Sequence, residues 1–381
     1  MLKQKQPVRT IYQIVPRLPP LIDGVGDYSL QLARTLRENH NIDSKFIIGD
    51  PSWLGPTELE GFLVQKVHER SALALINLLT TNAALDTALL HYVGYGYHRR
   101  GIPFWLLNGL KFWRKTHTHS SYRLFTIFHE LYAFVLPWKS EFWLRPFQVK
   151  IAKSLIHFSE TCFVSNYINK QEIQRHKPLA CIEIYPVASN FGEPTLSKFE
   201  LELRLPNRWI ICGGSESIRR SLKSFLKLIL KIPSEYYPTQ LDVIGGYKSE
   251  QITSLLEQCT TFSTAYYPQI STLVASELLA KASFAWLDYF GTGKVWPSMV
   301  FKSGIFAAYS AHGVITVFSH HETKAVIDGE YYPGIFYINA QEIHFPEMKQ
   351  ITKIRQKIYN WYHRHSSFEL IAKAYAKVLI P

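Results

Sequence analysis

The sequence predicts an α/β chain made of two Rossmann-like halves of similar size. Three observations carry that expectation. Apolar runs of strand length alternate with helix-period patterns along the whole chain. A strand, a glycine turn and a helix follow one another near the start, where an open parallel sheet usually begins. A polar segment at 186–206, holding Ser189-Asn190-Phe191-Gly192-Glu193-Pro194, then separates two series of strands and helices. At 381 residues the chain has the length of one very large domain or two ordinary ones, and at 47% apolar and 19% charged it has the balance of a globular protein with a substantial core.

In the first half, strands are expected at 10–15, 45–48, 62–67, 87–93, 123–128, 161–164 and 181–185. Runs this short and this apolar suit a parallel sheet buried on both faces. The helix after the glycine turn is expected from 27 to about 38. It sets Val25, Tyr28, Leu32 and Leu36 on one stripe. A further helix is expected over 142–157. The second half repeats the pattern, with strands at 209–212, 241–245, 284–287, 314–318 and 335–338. Helices are expected at 219–230, 250–258, 272–281 and 298–311, and from 347 to 379.

Composition narrows the function. The four cysteines, Cys162, Cys181, Cys212 and Cys259, form no CxxC pair and sit in or beside apolar runs, so buried thiols are expected and a zinc site is not. Residues 1–9 hold no apolar signal region, and no run approaches the ~18 apolar residues of a membrane span. A cytoplasmic location is expected, with the inner membrane surface as the alternative. The formal charge of +12 favours anionic partners: nucleic acid, an anionic membrane or phosphorylated substrates. The basic residues are dispersed, and the clusters at 111–115, 219–220 and 363–365 lack the length of a nucleic-acid tail, so nucleic acid is not expected. The segment 104–115 mixes Trp, Leu and Lys. It reads either as a peripheral membrane contact or as an ordinary amphipathic helix.

Several motifs carry candidate chemistry. Gly24-Val25-Gly26 lets backbone approach a phosphate or sugar, with helix N–H groups aimed at it. It is not the dinucleotide fingerprint, because GxGxxG would need glycine where Ser29 stands, and Asp50 is a poor ribose ligand. Arg219, Arg220 and Lys223 follow the first strand of the second half. Gly245-Gly246 ends the next one. Lys302-Ser303-Gly304 offers a cation, a hydroxyl and amides at a helix start. The stretch from Tyr92 to Arg100, with Tyr95, Tyr97, His98 and Arg99, is aromatic and basic, and its tyrosine rings suit stacking on sugar rings; Trp105 and Trp113 are further candidates. Ser319-His320-His321-Glu322 is not read as a metal site, since adjacent histidines on a strand point opposite ways.

In order along the chain, GVGDYSLQLARTLRE from Gly24, LFTIFHELY at 124–132, CFVSNYI at 162–168, IYPVASN at 184–190 and SAHGV from Ser310 resemble the GT-B fold glycosyltransferases of the family 4 type. The resemblance implies two Rossmann-like domains facing each other across a cleft. Its domains are 1–190, completed by a C-terminal helix at about 363–381, a linker at 191–206, and a donor domain at 207–362. It implies a hexosyltransferase of polysaccharide biosynthesis, which moves a sugar from a nucleotide-sugar donor to a saccharide or lipid-linked acceptor. Configuration is retained and neither metal nor cofactor is needed. His129 would contact the donor sugar, with Glu130 beside it. Gly24, Val25, Gly26, Arg219, Arg220, Lys223, Gly245, Gly246, Lys302, Ser303 and Gly304 would hold the diphosphate and nucleotide, and Tyr95, Tyr97, His98 and Arg99 would lie on the acceptor surface. One departure stands out. The family's pair of glutamates eight positions apart has no counterpart, because no Asp or Glu occurs between Asp288 and Glu322. A non-catalytic nucleotide- or sugar-binding relative is therefore the alternative. A NAD-type oxidoreductase is disfavoured by Ser29.

Overall fold

A computed structural model describes residues 9–21, 23–81, 86–116, 122–132, 140–205, 207–290, 295–320, 325–327 and 329–380. The chain divides into two compact units: Met1–Tyr185 with Phe368–Pro381, and Pro186–Ser367. The divisions fall before Pro186 and after Ser367, where the sequence reading has them after 190 and after 362.

The first unit runs β1 (Arg9–Val15), α1 (Gly24–His40), β2 (Ile42–Ile48), β3 (Glu58–Leu59), β4 (Phe62–Lys66), α2 (Ala72–Thr80), β5 (Thr87–Tyr92), α3 (Gly94–Tyr97), α4 (Phe104–Thr116), β6 (Arg123–Phe128), α5 (Ser140–Phe158), β7 (Thr161–Val164), α6 (Tyr167–His176) and β8 (Ile182–Ile184). Its sheet has the order β3-β4-β2-β1-β5-β6-β7-β8. All pairs are parallel except the edge hairpin β3/β4. The central strands are apolar because helices cover both faces; every residue of β5 is buried. A wholly buried Trp113 packs edge-on to Tyr12 at 6.5 Å.

The second unit runs α7 (Lys198–Glu202), β9 (Arg208–Cys212), α8 (Ser215–Leu228), β10 (Gln240–Ile244), α9 (Glu250–Glu257), β11 (Ser263–Tyr267), α10 (Thr272–Lys281), β12 (Phe284–Leu287), α11 (Gly304–Ala311), β13 (Ile315–Phe318), the hairpin β14 (Val326–Ile327)/β15 (Glu330–Tyr331), β16 (Phe336–Ile338), β17 (Ile343–His344) and α12 (Ile351–His365). Its main sheet has the order β11-β10-β9-β12-β13-β16-β17, parallel except for β17. An aromatic core of Trp209, Phe225, Phe284 and Trp286 fixes α8 on this sheet. Trp209 lies 5.1 Å from Phe284 and Phe225 lies 5.4 Å from Trp286. The last helix, α13 (Phe368–Leu379), returns to the first unit. Phe368 meets Tyr28 at 5.3 Å, Tyr375 meets Phe163 at 4.0 Å, and Arg123 donates to the carbonyls of Val378 and Leu379.

Each sheet reverses its strand order once, between β1 and β5 and between β9 and β12. At such a switch point the connections leave in opposite directions and open a crevice outside the carboxyl ends of the strands, where ligands of open α/β sheets bind.

Candidate active site

At the first switch point a line of polar side chains crosses four buried strands. The register explains it. Ser44 on β2 stands opposite Ile11, and Gln13 is two residues on. Gln13 stands opposite Leu89, and His91 is two residues on. His91 stands opposite Ile127, and His129 follows two residues later. Residues two apart share a sheet face, and such diagonal neighbours are within reach of long side chains. Gln13 Nε2 donates to Ser44 Oγ at 2.8 Å, Gln13 Oε1 meets His91 Nε2 at 2.8 Å, and His91 Nδ1 meets His129 Nε2 at 3.2 Å. Burial holds the His129 imidazolium down at about pKa 4, and holds His91 well below the usual range, with His129 adding to the effect. Both rings are therefore neutral at pH 7. Tyr28 packs edge-on to His129 at 5.3 Å. The side chain of Glu130, half-buried, makes no hydrogen bond or ion pair among the described residues.

The glycine turn differs from expectation. Helix α1 starts at Gly24, not at 27, because Asp23 caps it: its carboxylate accepts from the N–H of Val25 at 2.9 Å and of Gly26 at 3.1 Å. Two amides expected to face an anion are thus already bonded to a carboxylate. Gly26 is required by packing, since a Cβ there would lie 2.5 Å from the carbonyl oxygen of Arg17. Asp27 stands one turn in, and burial together with the Asp23 charge raises its carboxyl to about 6. The turn presents an acidic lip and suits hydroxyls better than phosphates. Asp50 is engaged by Arg17 Nε at 2.7 Å and by Arg70 at 3.2 Å, so it is an ion-pair residue and not a ribose ligand.

The expected acceptor residues separate. Tyr97 is a correction: it is wholly buried, and its hydroxyl donates to the carbonyls of Ile14 and His91, so it offers no face to a sugar. Trp113 is core for the same reason. Trp105 is half-buried and donates to the Tyr97 carbonyl. Tyr95 and His98 are half-buried and Arg99 is exposed, on the turn after β5. The Tyr95 hydroxyl accepts from Gln148, and burial next to Arg70 and Arg100 lowers His98.

At the second switch point two glycine turns interlock. A Cβ on Gly245, at φ +97°, would lie 2.5 Å from the carbonyl oxygen of Gly213, and one on Gly246, at φ +65°, would lie 2.8 Å from Ser215 Oγ. Helix α8 begins beside them with Gly214 as its N-cap and no side-chain cap. Its start at Ser215, not 219, moves Arg219, Arg220 and Lys223 into the helix body. Arg219 is paired with Glu216, and Arg220 donates to the Asp288 carbonyl. The exposed Lys223 makes no hydrogen bond or ion pair among the described residues. The first turn of α8 is thus uncapped beside Gly213-Gly214-Ser215, an arrangement that could receive an anion, while Lys223 stands about two turns further along the helix. Asp288, at the end of β12, is buried, with its Oδ1 3.6 Å from His320 Nε2. Ser303 caps α11 by accepting from Phe306 N–H at 3.2 Å, which leaves Lys302 half-buried on the preceding 3₁₀ turn and Gly304 at the helix start. His321 and Glu322 lie outside the described residues. Among the described residues no cluster of three His, Cys, Asp or Glu side chains could hold a metal ion. A cavity of about 700 Å³ between β15 and α12 contains none of these residues, and its carboxylate, Glu330, is taken by Arg364 and His365.

Sequence reasoning missed His91, Gln13, Asp23 and Gly213-Gly214. A polar residue inside an otherwise apolar strand, as in TIYQIV and ALLHYV, is the signal that could have flagged the first two.

The fold is that of the GT-B glycosyltransferases. No protein-family profile matches the sequence, and no curated protein matches it in sequence. Solved structures match nearly end to end. An alpha-glucosyltransferase in complex with UDP-glucose and DNA containing an abasic site aligns with a TM-score of 0.59 at 11% identity, over 98% of this chain and 99% of its own. The catalytic domain of starch synthase IV from Arabidopsis thaliana, bound to ADP and acarbose, aligns at 0.57 and 9% identity over 98% and 99%. WaaG, a glycosyltransferase involved in lipopolysaccharide biosynthesis, aligns at 0.53 and 13% identity over 97% and 99%.

Proposed function

We propose that this protein is a glycosyltransferase that moves a hexose from a nucleotide-sugar donor to a saccharide or lipid-linked acceptor, with retention and without a metal ion. The observation that carries the reading is that each sheet sets matching chemistry at its switch point. The second unit offers an uncapped helix start, two interlocked glycine turns and Lys223 for a diphosphate. The first offers a neutral imidazole and a carboxylic lip for hydroxyls. In the reaction the bond from the anomeric carbon to the diphosphate oxygen breaks. The acceptor oxygen bonds to the same face of that carbon, and its proton passes to the departing phosphate oxygen. The leaving charge needs donors already in place, and helix N–H groups with Lys223 supply them. Lys302 is proposed to add a second cation.

Transient contact with an anionic membrane surface belongs to the same reading. Phe112, 49% exposed, shares a face of α4 with the exposed Lys115 three residues on, and Trp143 on α5 is 73% exposed. Among the described residues no helix is long and apolar enough to cross a membrane.

Thermal unfolding in the presence of UDP-, GDP- and ADP-sugars tests the proposal. A ligand at 100 times its Kd adds about 2.7 kcal/mol, several degrees in Tm; no shift with any of them would reject it. The non-catalytic reading keeps one observation in its favour, the lack of Asp or Glu between Asp288 and Glu322. It is upheld if donors bind and no acceptor preparation is ever glycosylated.

A further inference from the structure

We propose that Gln13 and His91 are positioning residues that fix the tautomer of His129, so that His129 meets its substrate as a hydrogen-bond acceptor through Nδ1. The consequence for catalysis rests on the transferase reading; the tautomer itself does not.

The side chains concerned lie along the diagonal from β2 to β6. Gln13 lies on β1, wholly buried, and its amide nitrogen donates to Ser44 Oγ, so its oxygen is the atom facing His91 Nε2 at 2.8 Å. A carbonyl oxygen only accepts, so His91 Nε2 carries the proton. His91 is wholly buried, and a neutral imidazole has one N–H, so its Nδ1 is a lone pair. That lone pair faces His129 Nε2 at 3.2 Å, and His129 must therefore donate there. Its single proton is then on Nε2, and Nδ1 is left as an acceptor. Among the described residues nothing bonds to Nδ1.

Two consequences follow. The partner of His129 must donate a hydrogen bond. A sugar hydroxyl does so; an ionised phosphate oxygen cannot. And the ring cannot take the other tautomer without leaving two lone pairs, or two protons, facing each other somewhere in a buried chain. Unmade bonds of that kind are costly away from water.

The test is a long-range ¹H–¹⁵N spectrum of the full chain labelled at histidine, at pH 7. The expected result is a neutral His129 with Nε2 protonated and Nδ1 bare. Replacing Gln13 with Leu should turn this into a mixture of tautomers. His91→Leu should do the same, whereas His91→Asn, which can keep an acceptor near the Nδ1 position, should preserve it. In a turnover assay kcat should fall about tenfold or more in Q13L and H91L, with KM for the donor unchanged and activity recovered in H91N. A wild-type His129 protonated on Nδ1, or charged, overturns the proposal without any variant being needed. So does an unchanged tautomer in Q13L. If the tautomer is as stated but no nucleotide sugar is turned over, the assignment stands and the transferase reading fails.

Discussion

The carbonyl oxygen of Gly213 occupies the space that a Cβ on Gly245 would need, with only 2.5 Å between them. The two residues end neighbouring strands, β9 and β10, and their close approach brings the second glycine turn against the open start of α8. Gly245 also has φ +97°, a conformation that costs other residues about 1–2 kcal/mol or more. Gly245→Ala should therefore lower Tm and remove nucleotide binding together. Calorimetric titration of the folded variant at reduced temperature checks this; donor affinity equal to wild type would show that the turn has no part in the donor site.

His129 is the group held in the acceptor role. His129→Ala should reduce kcat by about a hundredfold or more while leaving donor Kd within a few-fold, because the bond proposed for it goes to the reacting sugar and not to the diphosphate. Steady-state kinetics alongside equilibrium binding separates the two. A variant with wild-type kcat would remove His129 from the chemistry.

Asp27 is raised to about 6 by burial and by Asp23. The folded form of this acid therefore binds its proton more tightly than the unfolded chain does. Its contribution is favourable at low pH and is lost as pH rises from about 4 through 6. Asp27→Asn should stabilise the protein at pH 7 by about 1 kcal/mol, less than the full shift implies because the carboxyl keeps solvent contact. The gain should vanish near pH 4, as measured by denaturant midpoints at the two pH values.

His312 shifts the other way. It is wholly buried, its Nδ1 donates to the Ala308 carbonyl at 2.8 Å and its Nε2 accepts from Ser276 at 2.8 Å. Burial lowers it to about 4. The unfolded chain binds this proton first, so the stability it supports is complete above about pH 6.5 and is lost as pH falls toward 4, an effect of order 3 kcal/mol. Urea midpoints between pH 7.5 and 4.5 should fall more steeply for wild type than for His312→Gln.

The exposed face of α4 predicts surface binding. Phe112→Asp with Lys115→Glu should abolish sedimentation with vesicles of anionic lipid and leave circular dichroism unchanged. Equal sedimentation of wild type and variant would assign that face to solvent.

Much of the fold was legible because strands such as β1, β5, β9 and β12 are apolar runs bounded by turn residues. Strand β11 was not, since Ser-Thr-Ala-Tyr-Tyr lies at a sheet edge, half-exposed, and carries no strand-like apolar pattern. The starts of α1 and α8 were misplaced because glycines are poor helix formers, yet Asp23 caps the one and Gly214 opens the other. His129 could be read from its place after a strand. Gln13 and His91 stood out only as polar residues in apolar strands; their pairing with His129 could not be read, because only the register of β2, β1, β5 and β6 brings Ser44, Gln13 and His91 into line with it. Tyr97 misled because an aromatic in a glycine-rich turn looks like a stacking platform, and nothing local says that its hydroxyl reaches two backbone carbonyls.

Every step proposed above requires the second unit to hold a nucleotide sugar by its diphosphate. Isothermal titration of the full chain with UDP-, GDP- and ADP-linked sugars tests it most directly. At least one should bind with micromolar Kd, the matching nucleoside diphosphate should compete, and Lys223→Ala should weaken binding about tenfold. Absence of binding by every donor and every diphosphate would contradict it.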